Sequence, residues 1–276
     1  MTDAVLDLEA APRALWMAGR TAAVTGGGGR GRGDGTVGWA VSRLLAQHGA
    51  RVAVIDRDPE AAERTVAEIS ESGGTAVPVV ADVSRDEACR HAVQAGHDAF
   101  GSLDTLINNV AAWSPADLFD VGPERFDELL ELNLKTAWLM TRRAAALMPP
   151  GAAIVNITSA AARRPGTVYG LAKAGLEAMT GGAAPLLAER GIRINAVELG
   201  PLWTAAVADN LPAEAREPRR RMVALQTEGT CWDAAAAVLF LASDRARWIS
   251  GQVLAVDGGG APRGPYPGVT KGEDRA

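Results

Sequence analysis

The 276-residue chain is 47% hydrophobic and 22% charged, with a net charge of −5, which fits a globular protein of one large α/β domain or at most two small ones. The negative balance gives no electrostatic reason to expect nucleic acid or an anionic membrane as partner. Two cysteines, Cys89 and Cys231, are too few for a disulfide framework and are not spaced as metal ligands, so no metal site is expected and a reducing cytoplasm suits them.

Residues 1–19 read as an N-terminal extension. They carry Asp3, Asp7 and Glu9 and no basic start before an apolar run, so no secretory leader is expected. No window approaches the uninterrupted apolar length of a membrane span. From residue 20 onward, short β-rich runs alternate with longer helical patterns. Strands are predicted at 21–25, 51–55, 75–80, 103–107, 152–158, 192–197 and 252–256. Several are nearly continuous Val/Ile/Ala runs, as in strands buried on both faces of a parallel sheet. Helices are predicted at 37–48, 59–72, 86–100, 123–148, 168–190 and 232–243, with Pro59 and Pro123 in first-turn positions. This alternation predicts a doubly wound parallel sheet of the Rossmann type, with about seven strands and helices on both faces, in a single domain over 20–260. Residues 198–230 depart from the rhythm and read as a substrate lid. Residues 261–276, rich in proline, read as an extended tail.

After the first strand comes a glycine-rich turn from Thr25 and Gly26 to Gly38. Such a turn lets the backbone approach a pyrophosphate, and the helix N-terminus beyond it offers free N–H groups; by itself it is also simply a flexible loop. Two alignments compete, one using Gly31 and Gly33, the other Gly35 and Gly38. The apolar face of Val37, Ala40, Val41, Leu44 and Leu45 favours the second, because the helix then starts near Thr36. Residues 28–33 would bulge beside the adenosine half of a dinucleotide, with Arg30 and Arg32 able to swing toward its phosphates. Asp56 ends the second strand, where a carboxylate accepts from the ribose hydroxyls of NAD and repels the extra phosphate of NADP. Arg57 beside it is a cation able to blur that choice. Asp82 is read as ending the third strand and preceding Val83, where an adenine edge and face would lie, although a lone Asp there is equally a helix cap.

Tyr169 and Lys173, at i and i+4, share one helix face. A free tyrosine has a pKa of about 10, and a nearby cation lowers such a value toward useful acid/base range. Taken alone, such a pair is an ordinary helix surface. Ser159, ending the preceding strand at the carboxyl edge where these sheets bind ligands, supplies a donor for a substrate oxygen.

With these residues in order, the chain resembles the short-chain dehydrogenase/reductases over about residues 20–260. The resemblance is carried by Thr25-Gly26, Asp56, Asp82-Val83, Asn108-Asn109, Asn133 within Glu131-Leu-Asn-Leu, Ser159, Tyr169/Lys173, Arg193-Ile-Asn-Ala, Gly200-Pro-Leu-Trp-Thr204 and Ser250 through Gly259. It implies that Tyr169 is the catalytic acid/base, that Lys173 lowers its pKa and holds the nicotinamide ribose, that Ser159 orients the substrate and that Asn133 supports a proton-relaying water. It further implies that Asn109, Val110, Gly200, Leu202 and Thr204 contact the cofactor, and that the protein is a homotetramer or homodimer. The departures are the longer glycine turn, Val110-Ala111 in place of the small pair after the asparagines, Leu199 in place of proline, and a Ser159–Tyr169 interval of 10 residues, a few shorter than common.

The expected activity is NAD-dependent interconversion of a secondary alcohol and a ketone in the cytoplasm. Trp113, Ser159, Val168 and Trp203 would line the pocket, suggesting an apolar or cyclic substrate. The competing readings are an enzyme of the same fold with no net redox change (a dehydratase, epimerase or isomerase) and a non-catalytic dinucleotide-binding protein. The remaining tryptophans read mostly as packing residues, Arg163-Arg164 and Arg219 to Arg221 as solvated loop charges, and His48, His91 and His97 as helix residues without a ligand role.

Overall fold

The computed structural model describes residues 15–29, 35–114, 116–164 and 166–260. Arg30, Gly31, Arg32 and Gly33, residues 1–14 of the extension and the tail 261–276 lie outside the described residues. Seven strands, β1 (Thr21–Thr25), β2 (Arg51–Asp56), β3 (Thr75–Val80), β4 (Thr105–Asn108), β5 (Ala153–Ser159), β6 (Arg193–Leu199) and β7 (Val253–Val256), form one sheet. Their order is β3-β2-β1-β4-β5-β6-β7, and every pairing is parallel. The order reverses between β1 and β4, which opens the crevice where such sheets bind ligands.

Side chains alternate across the pleat with period two. Val24, Val54, Ile107, Val155 and Val197 join one buried cluster, while Ala23, Ile55, Leu106, Ile154 and Ile194 join the other. The first cluster is closed by α1 (Val37–Gln47), α2 (Pro59–Glu71) and α9 (Cys231–Ala242). The second is closed by α3 (Asp86–Phe100), α5 (Thr136–Leu147) and α6 (Val168–Ala188). Each fully buried Val, Ile or Leu contributes about 1.5–3 kcal/mol, so continuous apolar strands are required wherever both faces are covered.

The structure departs from the predicted layout at several element ends, and three departures bear on the site and its surroundings. The 123–148 helix is broken into α4 (Pro123–Leu130), a π-helical turn over Glu131–Lys135, and α5. β6 runs on through Glu198 and Leu199, so the connection after it begins at Gly200 and carries the short helices α7 (Ala205–Ala208) and α8 (Arg216–Arg221). The described part of the N-terminal extension packs onto the domain: Met17 is fully buried in the first cluster, and its N–H donates to the His48 carbonyl. The tryptophans expected to pack divide: Trp16 and Trp39 pack against the first cluster, and others do not. Trp113, Trp138, Trp232 and Trp248 are exposed, and Trp203 alone of the seven is counted among the buried residues.

Candidate active site

At the switch point, side chains bind the end of β1 to the end of β4. The Thr25 hydroxyl donates to the Ile107 carbonyl and accepts the Asn109 N–H at 3.0 Å. The Asn109 amide donates to the carbonyls of Thr25 and Gly26, 3.1 Å each. Gly26 has φ +59, a left-handed conformation natural to glycine. The helix beyond begins at Val37 with Thr36 as its cap, the hydroxyl accepting the Trp39 N–H, as the apolar face required. Gly38 lies in the first turn, and a Cβ there would fall 2.0 Å from the Gly26 carbonyl oxygen. Gly35 is buried against the Trp39 ring, and its carbonyl accepts the Ala205 N–H at 3.3 Å. Val110 packs a methyl group beside the Gly26 turn.

One Asp56 oxygen accepts the Gly28 N–H at 3.0 Å and the other the Asp58 N–H at 3.1 Å, which fixes the carboxylate beside the turn; Arg57 is exposed. Asp82 lies two residues past the end of β3 rather than at it. Its carboxyl is held below the usual range by hydrogen bonds from Ser84 and by the Arg85 and Arg57 charges. Val83 is buried in the core, and its carbonyl accepts from the Cys89 thiol, so it presents no apolar face at the surface. A cradle that a Cβ would fill, next to an oriented carboxylate and a helix N-terminus, fits a nicotinamide dinucleotide.

The other half of the site rests on β5 and α6. Thr167 caps α6 by accepting the Gly170 N–H at 3.0 Å, placing Tyr169 in the first turn and Lys173 one turn on. Lys173 is fully buried; its ammonium donates to the Ile157 carbonyl at 2.9 Å and lies 5.7 Å from the Tyr169 ring centre. Burial lowers its pKa to about 8, so the group remains mainly cationic at neutral pH. Ser159 ends β5 and caps the 3-10 turn Ala160–Arg163, accepting the Ala161 N–H. Asn133 sits in the π-helical turn, a deviation found often at functional sites. Its amide donates to the Ala112 and Leu129 carbonyls at 2.8 and 2.9 Å and accepts the Ala112 N–H.

The predicted pocket residues divide. Trp113 is exposed on the loop after β4. That loop meets the residues before Tyr169 through the Asp117–Thr167 bridge and the Leu118 N–H to Gly166 carbonyl bond. Val168 has no exposed surface, and Trp203 is buried with the Arg216 guanidinium over its ring at 5.2 Å; neither presents an open wall. Gly200 packs against Asp257, where a Cβ would meet backbone at 2.5 Å. Leu202 is buried, and Thr204 caps α7.

Two of the arginines read as solvated loop charges have partners or cover: Arg163 is exposed yet ion-paired, and Arg219 lies inside. Arg163 pairs with Glu198 and Asp257. Thr158 donates to Glu177 at 2.9 Å, whose carboxyl is raised by burial and by the Glu198 charge. The signal for this network was Glu198 itself, a carboxylate inside an apolar strand, which must find a partner.

A doubly wound sheet with a glycine turn at its switch point, facing a Ser, Tyr and Lys group at the same edge, defines a dinucleotide-binding oxidoreductase. Residues 33–260 match the family model described as Enoyl-(Acyl carrier protein) reductase. The chain is 32% identical to the 7alpha-hydroxysteroid dehydrogenase of Bacteroides fragilis, over 82% of this chain and 90% of that one. Among solved structures it is similar to a short-chain dehydrogenase/reductase from Burkholderia xenovorans, described there as putative (34% identity, TM-score 0.82, covering 88% and 96% of the two chains). It is also similar to a short chain dehydrogenase from Burkholderia cenocepacia J2315 in complex with NADP (32% identity, TM-score 0.80, 88% and 98%). The chain belongs to the short-chain dehydrogenase/reductase family.

Proposed function

We propose that the protein interconverts a secondary alcohol and a ketone with NAD(H), Tyr169 serving as acid and base. The observation that carries this reading is the buried Lys173 ammonium one turn from Tyr169. A fixed cation beside a phenol favours the phenolate, which then takes the alcohol proton or, in reverse, returns it to the ketone oxygen. Ser159, at the end of β5, donates a hydrogen bond to the same oxygen and stabilises charge as it develops. The Asn133 side chain is spent on Ala112, so its main chain is left to hold a relay water. Gly26, Gly28, Gly38, Asn109 and the Gly200–Thr204 segment would hold a nicotinamide dinucleotide, which when bound would supply the hydride chemistry.

NAD over NADP rests on Asp56, whose fixed carboxylate would oppose a ribose phosphate; Arg57 beside it is exposed, and its charge acts on Asp82. The Burkholderia cenocepacia relative is described in complex with NADP, so membership of the family alone does not choose the cofactor. An apolar or cyclic alcohol fits Trp113 at the edge of the site, and the name of the Bacteroides fragilis relative supports it. Leu186, Trp248, Val253 and Leu254 are exposed on α6, β7 and the turn before it, which supports a homodimer or homotetramer.

The test is a panel of cyclic and fused-ring secondary alcohols with NAD, followed by nicotinamide absorbance. Turnover is expected with NAD and is expected to vanish in Tyr169→Phe while NAD binding persists. Appreciable turnover in Tyr169→Phe overturns the mechanism, and product formation without absorbance change overturns the redox reading.

A further inference from the structure

The geometry points to Arg163 as a positioning residue, which holds the short segment between Ser159 and Tyr169 in place by a forked ion pair to buried Glu198 and to Asp257. The inference rests on the reading of Ser159 and Tyr169 as catalytic. Arg163 closes the 3-10 turn that Ser159 opens, four residues on, and that turn packs against α6. Its Nε donates to one Glu198 oxygen at 2.9 Å, and a terminal nitrogen meets the other. The same guanidinium lies 3.2 Å from Asp257 Oδ2. Glu198 is on β6, in register with Thr158 on β5, and Asp257 follows β7 against Gly200. One side chain, carried on the exit from β5, therefore ties together the ends of three strands.

Two features argue for positioning over simple stabilisation. The Glu198 side chain is 3% exposed but that of Arg163 is 39% exposed, and an ion pair with one partner buried and the other in solvent adds little net stability. What a planar guanidinium adds is direction, because its rigid fork, with Nε–H bonded to one Glu198 oxygen and one terminal nitrogen shared in ion-pair contact between the other oxygen and Asp257, fixes angle as well as distance. The Ser159–Tyr169 link is short, so a shift of the 160–163 turn is passed to both ends, and misplacement of a catalytic group by about 1 Å is enough to cost activity. Glu177, one turn beyond Lys173 on the same helix face, borders the network through Thr158 and feels both the Glu198 and Arg163 charges.

The chain has two tyrosines, Tyr169 and Tyr266, so tyrosinate absorbance against pH reports Tyr169 without any substrate. The full chain is titrated as wild type, Tyr169→Phe, Arg163→Lys, and Arg163→Met combined with Glu198→Leu, with thermal melting of each. In wild type a step below the ordinary tyrosine range is expected, absent from Tyr169→Phe. Arg163→Lys keeps the charge and loses the fork, and the double variant removes the pair while keeping the volume. Both are expected to move that step up by about one pH unit or more, with the double variant melting near wild type. A step that stays in place in Arg163→Lys overturns the inference, whether or not the double variant folds. So does a double variant with wild-type melting and an unmoved step. A wild type with no low step instead removes the Tyr169 reading on which the inference stands.

Discussion

At the ends of β1 and β2 the site is shaped by main chain and by missing side chains: Gly27 N–H donates to the Ile55 carbonyl, Gly28 N–H to Asp56, and Gly38 leaves room for the Gly26 carbonyl. At the ends of β5 and β6 it is shaped by buried polar side chains. Asn108 donates to Asn156 and Asn156 to Thr180, Lys173 donates to Ile157, and Arg163 holds Glu198. The first half is suited to a ligand gripped by its phosphates and sugars, where the protein must chiefly stay out of the way. The second must hold individual atoms at fixed distances, and side chains with many partners do that. The first half should therefore fail by added bulk and the second by lost functional groups.

The largest effect is expected where bulk is added. Gly38→Val drives a Cβ onto a backbone oxygen that cannot rotate away, at a cost of more than about 4 kcal/mol, read as a collapse of the urea midpoint together with cofactor binding. A Gly38→Val protein that is stable and binds NAD would break the comparison. Next is Ser159→Ala, expected to lower kcat by about 10²- to 10³-fold with NAD affinity unchanged, measured by steady-state kinetics and cofactor titration.

Lys173 sharpens the contrast through pH. Its folded pKa of about 8 lies below the ordinary lysine value, so between about pH 8 and 10.4 the unfolded chain binds the extra proton. Stability of the cofactor-free protein should then rise with pH across that window. The Lys173 contribution is about 3 kcal/mol, and it should be missing from Lys173→Met in denaturant midpoints taken at several pH values. The smallest effect belongs to Asp56→Ala, which should narrow the preference for NAD over NADP in kcat/KM by about tenfold, or about 1.4 kcal/mol.

The same division explains what could be read from the residues alone. Strands such as Arg51–Asp56 were legible because burial on both faces demands continuous apolar runs, and the start of α1 was legible from its apolar face. The π-helical turn was not, because Leu129, Asn133, Ala137 and Met140 keep a nearly helical spacing on one buried side. Tyr169, Lys173 and Ser159 were visible as a pattern. Arg163 looked like a loop charge because its partners lie 35 and 94 residues away in sequence, and only the register of β5 on β6 brings them close. Trp203 follows a strand end, which says where a residue sits but not which way it faces, and Val168 is next to Tyr169 in sequence yet has no exposed surface.

The strand order also bears on how the chain is assembled. β1 pairs with β2 across 30 residues and β2 with β3 across 24, whereas β1 meets β4 across 83. Loop closure over the short separations costs less entropy, and contacts of low sequence separation form faster. During synthesis from the N-terminus, the three strands of the dinucleotide half can pair before β5 and β6 have left the ribosome. The half defined by empty space would then be a finished template, and the half defined by buried partners would be zipped onto its β1 edge last.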